Sequence, residues 1–279
     1  MRRRARAGAG GKSSRPPAAS RTPASRKDEE VSSARDYYRK ILPFYEKESV
    51  VQAHLDFWVG IARGYRPGRI LEIGAGFGRI TEALSRVAPA VGMDVSLEML
   101  SLARGREGTA RDRAVYVAAD ARRVAFDRSF DLIVAPGDPI SHMTSPADRR
   151  ATLRAVARQL SPRGVFVLEG LWRPRRESPP RTRRVTHAGG ELTIEDAWSP
   201  IRGTDLWRAR YRYRDRRRDG SVRTTSAAFV ARAWDPSTVR RLFRSCGLRI
   251  LETWGGFDRR PFGEDSRRLF VVAQRASGP

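Results

Sequence analysis

Apolar positions change their spacing along this chain, and the changes divide it. From Ser33, large apolar residues recur three and four apart at Tyr37, Tyr38, Ile41, Phe44 and Tyr45, then at Val51, Leu55, Trp58, Val59 and Ala62, the spacing of one helix face. Pro43 predicts a break between the two helical pieces, and Gly64 and Pro67-Gly68 stop the second. Short apolar runs at 70–73, 91–94, 115–118, 130–134 and 165–169 then alternate with helical patterns at 79–87, 97–104 and 146–160. Ser96 and Ser145 are N-caps, and Ser161-Pro162-Arg163-Gly164 reads as a turn. Such alternation predicts a parallel, doubly wound sheet with ligands at the carboxyl ends of its strands.

Residues 181–232 switch to strict alternation. Arg208, Arg210, Arg212 and Arg214 share one face and Trp207, Ala209, Tyr211 and Tyr213 the other, with Asp219-Gly220 as a hairpin turn. The pattern predicts an inserted antiparallel sheet rather than a second core. Asp235-Pro236 opens a helix to Cys246, and 248–253 and 269–273 read as two last strands.

At 279 residues and 40% apolar content the chain holds one full core and an appendage. No run of eighteen apolar residues is present, so no membrane span is expected. The single Cys246 excludes a disulfide framework and a multi-cysteine metal site, and it suits a reducing cytoplasm; no metal is expected. A net charge of +24 points toward an anionic partner such as nucleic acid. Yet only Lys12, Lys27, Lys40 and Lys47 are lysines, so the excess is arginine, in keeping with a solvated arginine-rich surface. Residues 1–30 carry almost nothing large and apolar and are expected to be a disordered basic tail without the apolar face of a transit peptide.

The candidate chemistry starts at residues 70–81, where a short apolar strand runs into Gly74, Gly76 and Gly78 and then a helix. Glycines suit a turn that a ligand approaches more closely than a Cβ allows. A dinucleotide motif would place its third glycine three residues after the second, and a P-loop would add a lysine; neither holds here, so a nucleoside without phosphates is the expected ligand. Twenty positions beyond Gly74, the next strand ends in Asp94, where a carboxylate meets ribose hydroxyls.

With that glycine loop and Asp94, the Ala119-Asp120-Ala121 step, the 130–134 strand and the run from Leu160 to Leu168 stand in the order and at the intervals of the class I S-adenosylmethionine-dependent methyltransferases, which the chain resembles from about Tyr37 to Ala273. The resemblance implies a Rossmann-like, seven-stranded, mostly parallel α/β sheet, with an antiparallel β lid inserted between strands five and six. It divides the chain into helices and cofactor-binding core at 31–170, a lid at 171–234 and the rest of the core at 235–279. S-adenosylmethionine is the implied cofactor. Gly74, Ala75, Gly76 and Gly78 would line its methionine and ribose. Glu72 would order the loop or hold the ammonium group through water, or simply cap neighbouring backbone. Asp94 would take the ribose hydroxyls, Asp120 with Ala121 the adenine, and the Ala135-Pro136-Gly137 backbone would pass beside the sulfonium.

His142, in the loop after the fourth strand, is the candidate base, and Ser141-His142-Met143 resembles a stretch of aminosugar methyltransferases. Asp138 is the second catalytic candidate, pairing with an acceptor ammonium or else capping the turn before Pro139. Tyr37, Tyr38 and Tyr45 either close over the cofactor or pack in the core. Trp172, Trp207, Tyr211, Phe257 and Phe262 form an acceptor pocket or pack in sheets. The expected function is methyl transfer to nitrogen or oxygen of a small molecule. Two alternatives are a nucleic-acid methyltransferase using the basic surface and a non-catalytic nucleoside- or RNA-binding protein. Strand four ends Ala135-Pro136-Gly137-Asp138-Pro139 rather than in the Asn/Asp-Pro-Pro-aromatic sequence used on base amines, which disfavours the first.

Overall fold

The structure is a computed structural model that describes residues 33–48, 52–105, 113–172, 178–266 and 268–276. The segment expected to be disordered, 1–30, lies outside the described residues. Two helices lead, α1 (Ala34–Glu48) and α2 (Gln52–Tyr65). Then β1 (Ile70–Ile73), α3 (Arg79–Ser85), β2 (Ala90–Asp94), α4 (Leu97–Gly105), β3 (Ala114–Ala118), β4 (Phe130–Ala135), a 3-10 turn (Pro139–His142), α5 (Pro146–Gln159) and β5 (Leu160–Gly170) follow. Four long strands come next, β6 (Ser178–His187), β7 (Gly190–Pro200), β8 (Leu206–Arg217) and β9 (Val222–Arg232), and the described chain closes with α6 (Pro236–Ser245), β10 (Leu248–Trp254) and β11 (Leu269–Arg275).

Seven strands form one sheet in the order β10-β11-β5-β4-β1-β2-β3, with only β11 antiparallel to its neighbours. The central strands are buried on both faces, and alternate residues divide between two apolar layers. Ile133, Phe166 and Val271 pack with Leu153, Val156 and Phe243, while Leu132, Val167 and Val272 pack on the other side with Trp58 and Ile61. β1 and β4 are parallel, but the order in which strands are added switches sides between them, and the crevice of such a sheet opens at that point. Among the described residues no helix is long and apolar enough to cross a membrane.

The four remaining strands form a separate antiparallel sheet in the order β6-β7-β8-β9, inserted between β5 and α6. It carries an apolar cluster of its own, contrary to the expectation of a sheet without a core. Ala209 and Tyr213 of β8, Leu192 and Ile194 of β7 and Phe229 of β9 share the face that Tyr37, Ile41 and Phe44 of α1 cover. The alternation on β8 leaves one face apolar, and α1 takes that face out of water at the standard gain of about 25 cal/mol per Å2.

Two local expectations are corrected. α1 runs unbroken through Pro43. Pro43 and Arg39, whose carbonyl loses its helical donor, both lie on the exposed side, so water can satisfy that carbonyl while Tyr37, Ile41 and Phe44 hold the buried side. Residues 161–164, expected to be a turn, belong to β5. The register against β4 slips from Phe130↔Leu160 to Leu132↔Val165, and a Cβ on Gly164 would stand 2.7 Å from the Phe130 carbonyl oxygen, so only glycine fits this irregular stretch.

Candidate functional site

At the mouth of the β1/β4 crevice the backbone of Gly74 turns with φ +76° and that of Gly76 with φ +54°, conformations open to glycine at little cost. Gly74 is also packed against Pro139, where an added Cβ would come within 2.6 Å of the proline Cβ. The turn is pinned to the neighbouring strand: Gly74 and Ala75 both donate their N–H to the Met93 carbonyl at 2.9 Å. Beside it lies a cavity of about 370 Å3 lined by residues from α1, the glycine turn, β2, α4 and the loops after β3 and β4. Its size falls in the range of small-molecule sites.

Asp94 lies at this cavity. Its Oδ2 accepts the Gly76 N–H at 2.8 Å and its Oδ1 accepts the Ser96 N–H at 2.9 Å. The Val95 backbone N–H adds to these donors, and a carboxylate with four lone pairs keeps acceptor capacity beyond three such bonds. Burial raises its pKa, against the lowering effect of those backbone donors. Apolar walls come from Ile73, Met93 and Met99, and Ala121 lines the same wall.

Asp120 lines the cavity too, but its carboxylate is already held. Arg122 donates from Nε to Oδ1 and Oδ2, both at 2.9 Å, and from Nη2 to Oδ2 at 2.6 Å, and these bonds hold the Asp120 pKa below its ordinary value. The same guanidinium stands 3.2 Å from Asp148. An adenine amine would therefore meet an Asp120–Arg122 unit, not a lone carboxylate. The Asp-x-Arg spacing was visible in the sequence, but nothing in it said that the arginine would fold back.

His142, at the end of the 3-10 turn, faces the cavity beside Tyr38, whose Oη lies 3.4 Å from Nε2. The Phe229 ring of the inserted sheet approaches to 4.7 Å. Enclosure among these rings disfavours the imidazolium and pushes the His142 pKa down to about 4, so the ring is neutral at physiological pH and has a nitrogen able to accept a proton. Tyr45 also lines the cavity, whereas Tyr37 is buried in the cluster of the inserted sheet.

Asp138 is corrected as a catalytic candidate. It lines neither cavity described here and is buried at 5% exposure. Its carboxylate accepts the Ser141 N–H at 3.0 Å, the Leu171 N–H at 2.5 Å and the Trp234 Nε1–H at 3.0 Å. The capping alternative describes this residue, extended into a tether between the 3-10 turn, the end of β5 and the approach to α6. Burial pushes its pKa up to about 6, with Arg149 nearby opposing the rise.

Three further expectations differ from what the structure places at the site. Ala135 is fully buried in β4, and the crevice is lined instead by Pro136 and Gly137. Gly78 lies under Tyr116, whose hydroxyl an added Cβ would strike, so it serves the start of α3 and its packing rather than the cavity wall. Trp172, Trp207, Tyr211, Phe257 and Phe262 do not converge. Tyr211 stacks on Phe229 at 6.1 Å inside the inserted sheet, Trp172 packs edge-on to Phe262, and Phe257 stacks on His54 at 4.2 Å.

Ala75 and Glu72 belong to a second cavity of about 380 Å3 on the other side of the glycine turn. Glu72 accepts a hydrogen bond from Thr81 Oγ1, and burial drives its pKa up to about 8. This cavity is richly charged, with Glu48, Glu169, Arg79, Arg183 and Arg268 among its walls. Sequence reading missed Glu169, which sits at the end of β5, accepts the Gly137 N–H at 2.9 Å and pairs with Arg268. Among the described residues no group of three or more His, Cys, Asp or Glu is placed to hold a metal ion.

Comparison with known proteins adds to this geometry. Residues 70–164 match a family model described as a methyltransferase domain. A dTDP-3-amino-3,6-dideoxy-alpha-D-glucopyranose N,N-dimethyltransferase of Streptomyces fradiae is 24% identical over 187 residues, 67% of this chain and 69% of that protein. The YqeM protein of Bacillus subtilis (strain 168) is 29% identical over 126 residues, 44% of this chain, and the match spans about half (51%) of that relative. Among solved structures, S-adenosylmethionine-bound CalS10, an amino pentose methyltransferase from Micromonospora echinaspora, superposes with a TM-score of 0.68 at 22% identity, covering 83% of this chain and 94% of CalS10.

Proposed function

We infer that this chain, a class I methyltransferase by its domain over residues 70–164 and by its fold, transfers a methyl group from S-adenosylmethionine to a nitrogen or oxygen of a small-molecule acceptor, with an amino-sugar amine as the foremost candidate. One observation carries the reading: a carboxylate with acceptor capacity to spare, Asp94, and a neutral buried imidazole, His142, line one cavity at the switch point of the sheet. The residues fit the cofactor. A glycine turn admits close backbone approach, Ile73, Met93 and Met99 offer apolar walls to a base, and Asp94 offers acceptors to a diol.

When bound, S-adenosylmethionine supplies an electrophilic methyl on a positively charged sulfur. The residues of this chain bind, orient and exclude water, since in-line displacement depends above all on collinear reactants. Tyr38 and Tyr45 of α1 line the cavity, and the Phe229 ring packs against His142. The neutral His142 would take the proton released by an attacking amine or hydroxyl, and Tyr38 Oη is placed to orient the imidazole. The amino-sugar candidate rests on the activity named for the Streptomyces fradiae relative. A cytoplasmic enzyme fits the free, buried Cys246.

Mass spectrometry tests this function by following methyl gain on a panel of amino-sugar nucleotides and simpler amines incubated with the protein and S-adenosylmethionine. A gain of one or two methyl groups on an amine is expected. Methylation of RNA alone, with no small-molecule product, would contradict the reading.

A further inference from the structure

The two cavities meet at the glycine turn, where Tyr45, Gly74, Gly76, Pro136 and Gly137 face both. A sulfonium carries three arms. On the methyltransferase reading, the adenosine arm belongs with Asp94 in the first cavity, and the methyl, which must point at the acceptor, belongs there as well because His142 does. Only the amino-acid arm is left, and the second cavity is the remaining space beside the turn.

That cavity is built for a group carrying both charges. Glu48 of α1 pairs with Arg183 of β6 at 2.7 Å, and Glu169 pairs with Arg268. A guanidinium has five N–H donors. The Glu169 pair engages Arg268 through Nη1, and Arg183 engages Glu48 through Nη2 with its Nε 3.7 Å from Asp196, so each arginine keeps an Nη group for a carboxylate. Both side chains are about half exposed, 48% for Arg183 and 43% for Arg268, as expected of groups facing a cavity rather than sealed in a core.

We propose that Arg183 of the inserted sheet, together with Arg268, binds the carboxylate of the cofactor's amino-acid arm, so that the lid is part of the cofactor site and not only a cover for the acceptor. Glu48 and Glu169 then face the ammonium group of the same arm. This inference rests on the methyltransferase reading and deepens it.

Isothermal titration with S-adenosylmethionine and with its decarboxylated analogue, on the whole chain and on Arg183→Ala and Arg183→Lys, tests it. The unaltered protein should bind the carboxylate-bearing ligand about tenfold more tightly, in line with a charge-assisted contact. Arg183→Ala should lose most of that preference while keeping its affinity for the decarboxylated analogue, which also reports that the variant is folded. Arg183→Lys, with the charge but not the fork, should recover part of the preference. An unaltered protein that binds both ligands equally, or an Arg183→Ala variant that keeps the full preference, overturns the proposal while the methyltransferase reading stands. Binding of neither ligand by the unaltered protein overturns both.

Discussion

Glu72 and His142 are buried ionisable groups whose environments push them in opposite senses, and each leaves its own mark on stability. Glu72 is raised from 4.5 to about 8 by desolvation, so between those pH values the folded chain holds a proton that the unfolded chain releases. Stability from this group is complete below about pH 4.5 and is lost as pH rises toward 8. Glu72→Gln, neutral throughout, should flatten the fall in melting temperature between pH 5 and 8, and an unchanged slope would contradict the burial argument. His142 is lowered from 6.5 to about 4, so the unfolded chain takes up a proton first and stability is lost as pH drops from about 6.5 toward 4. His142→Gln should keep affinity for the cofactor and reduce turnover by about a hundredfold. Equal turnover in the variant across pH 6 to 9 would leave the imidazole no role as a base.

Among single residues, those of the cofactor cavity were the most legible. Gly74, Gly76 and Asp94 are tied to strand ends by sequence spacing, because a parallel strand must stop where its ligand begins. Asp138 and Asp120 were less legible. A carboxylate after a strand reads the same whether it faces a cavity or caps a turn. Its partners, Trp234 and Leu171 for Asp138, lie 96 and 33 residues away, where no local pattern points to them.

At the scale of elements, the 3-10 turn that carries His142 hangs on Asp138, which ties it to the end of β5 and to Trp234. Arg149 reinforces the same joint: its guanidinium lies 4.0 Å over the Trp234 ring and donates to the carbonyls of Arg232 and Ala233. Replacing Asp138 with alanine strands several buried donors at once, and each such loss costs about 1–3 kcal/mol. Asp138→Ala should therefore lose about 3 kcal/mol or more of unfolding free energy in urea titration. A loss below about 0.5 kcal/mol would refute its role as a tether, the range of a neutral surface change.

Element boundaries were legible wherever a cap marked them, as with Ser145 before α5 and Asp235 before α6, each of which accepts a backbone N–H in the first turn. They were hidden where tertiary packing overrode a local signal. Pro43 should end a helix, yet the apolar face of α1 has the inserted sheet to bury against. Ser161-Pro162-Arg163-Gly164 should turn, yet β4 gives it a partner.

On the scale of the whole molecule, the inserted sheet, α1 and the core converge on one crevice. Asp215, at 1% exposure, bonds Lys47 of α1 at 2.5 Å and His187 of β6 at 2.8 Å, so the helix and the sheet form one cover over the cofactor cavity. The alternating arginines of β8 point to the opposite face, and Arg210, Arg212 and Arg214 lie exposed there.

On the proposed reading, Asp94 grips the sugar of S-adenosylmethionine in that crevice. Isothermal titration of the cofactor into the unaltered protein and into Asp94→Ala tests it most directly. The account predicts a dissociation constant on the order of micromolar for the first and a loss of at least about tenfold for the second, about 1.4 kcal/mol. Equal affinity in the two proteins would contradict it.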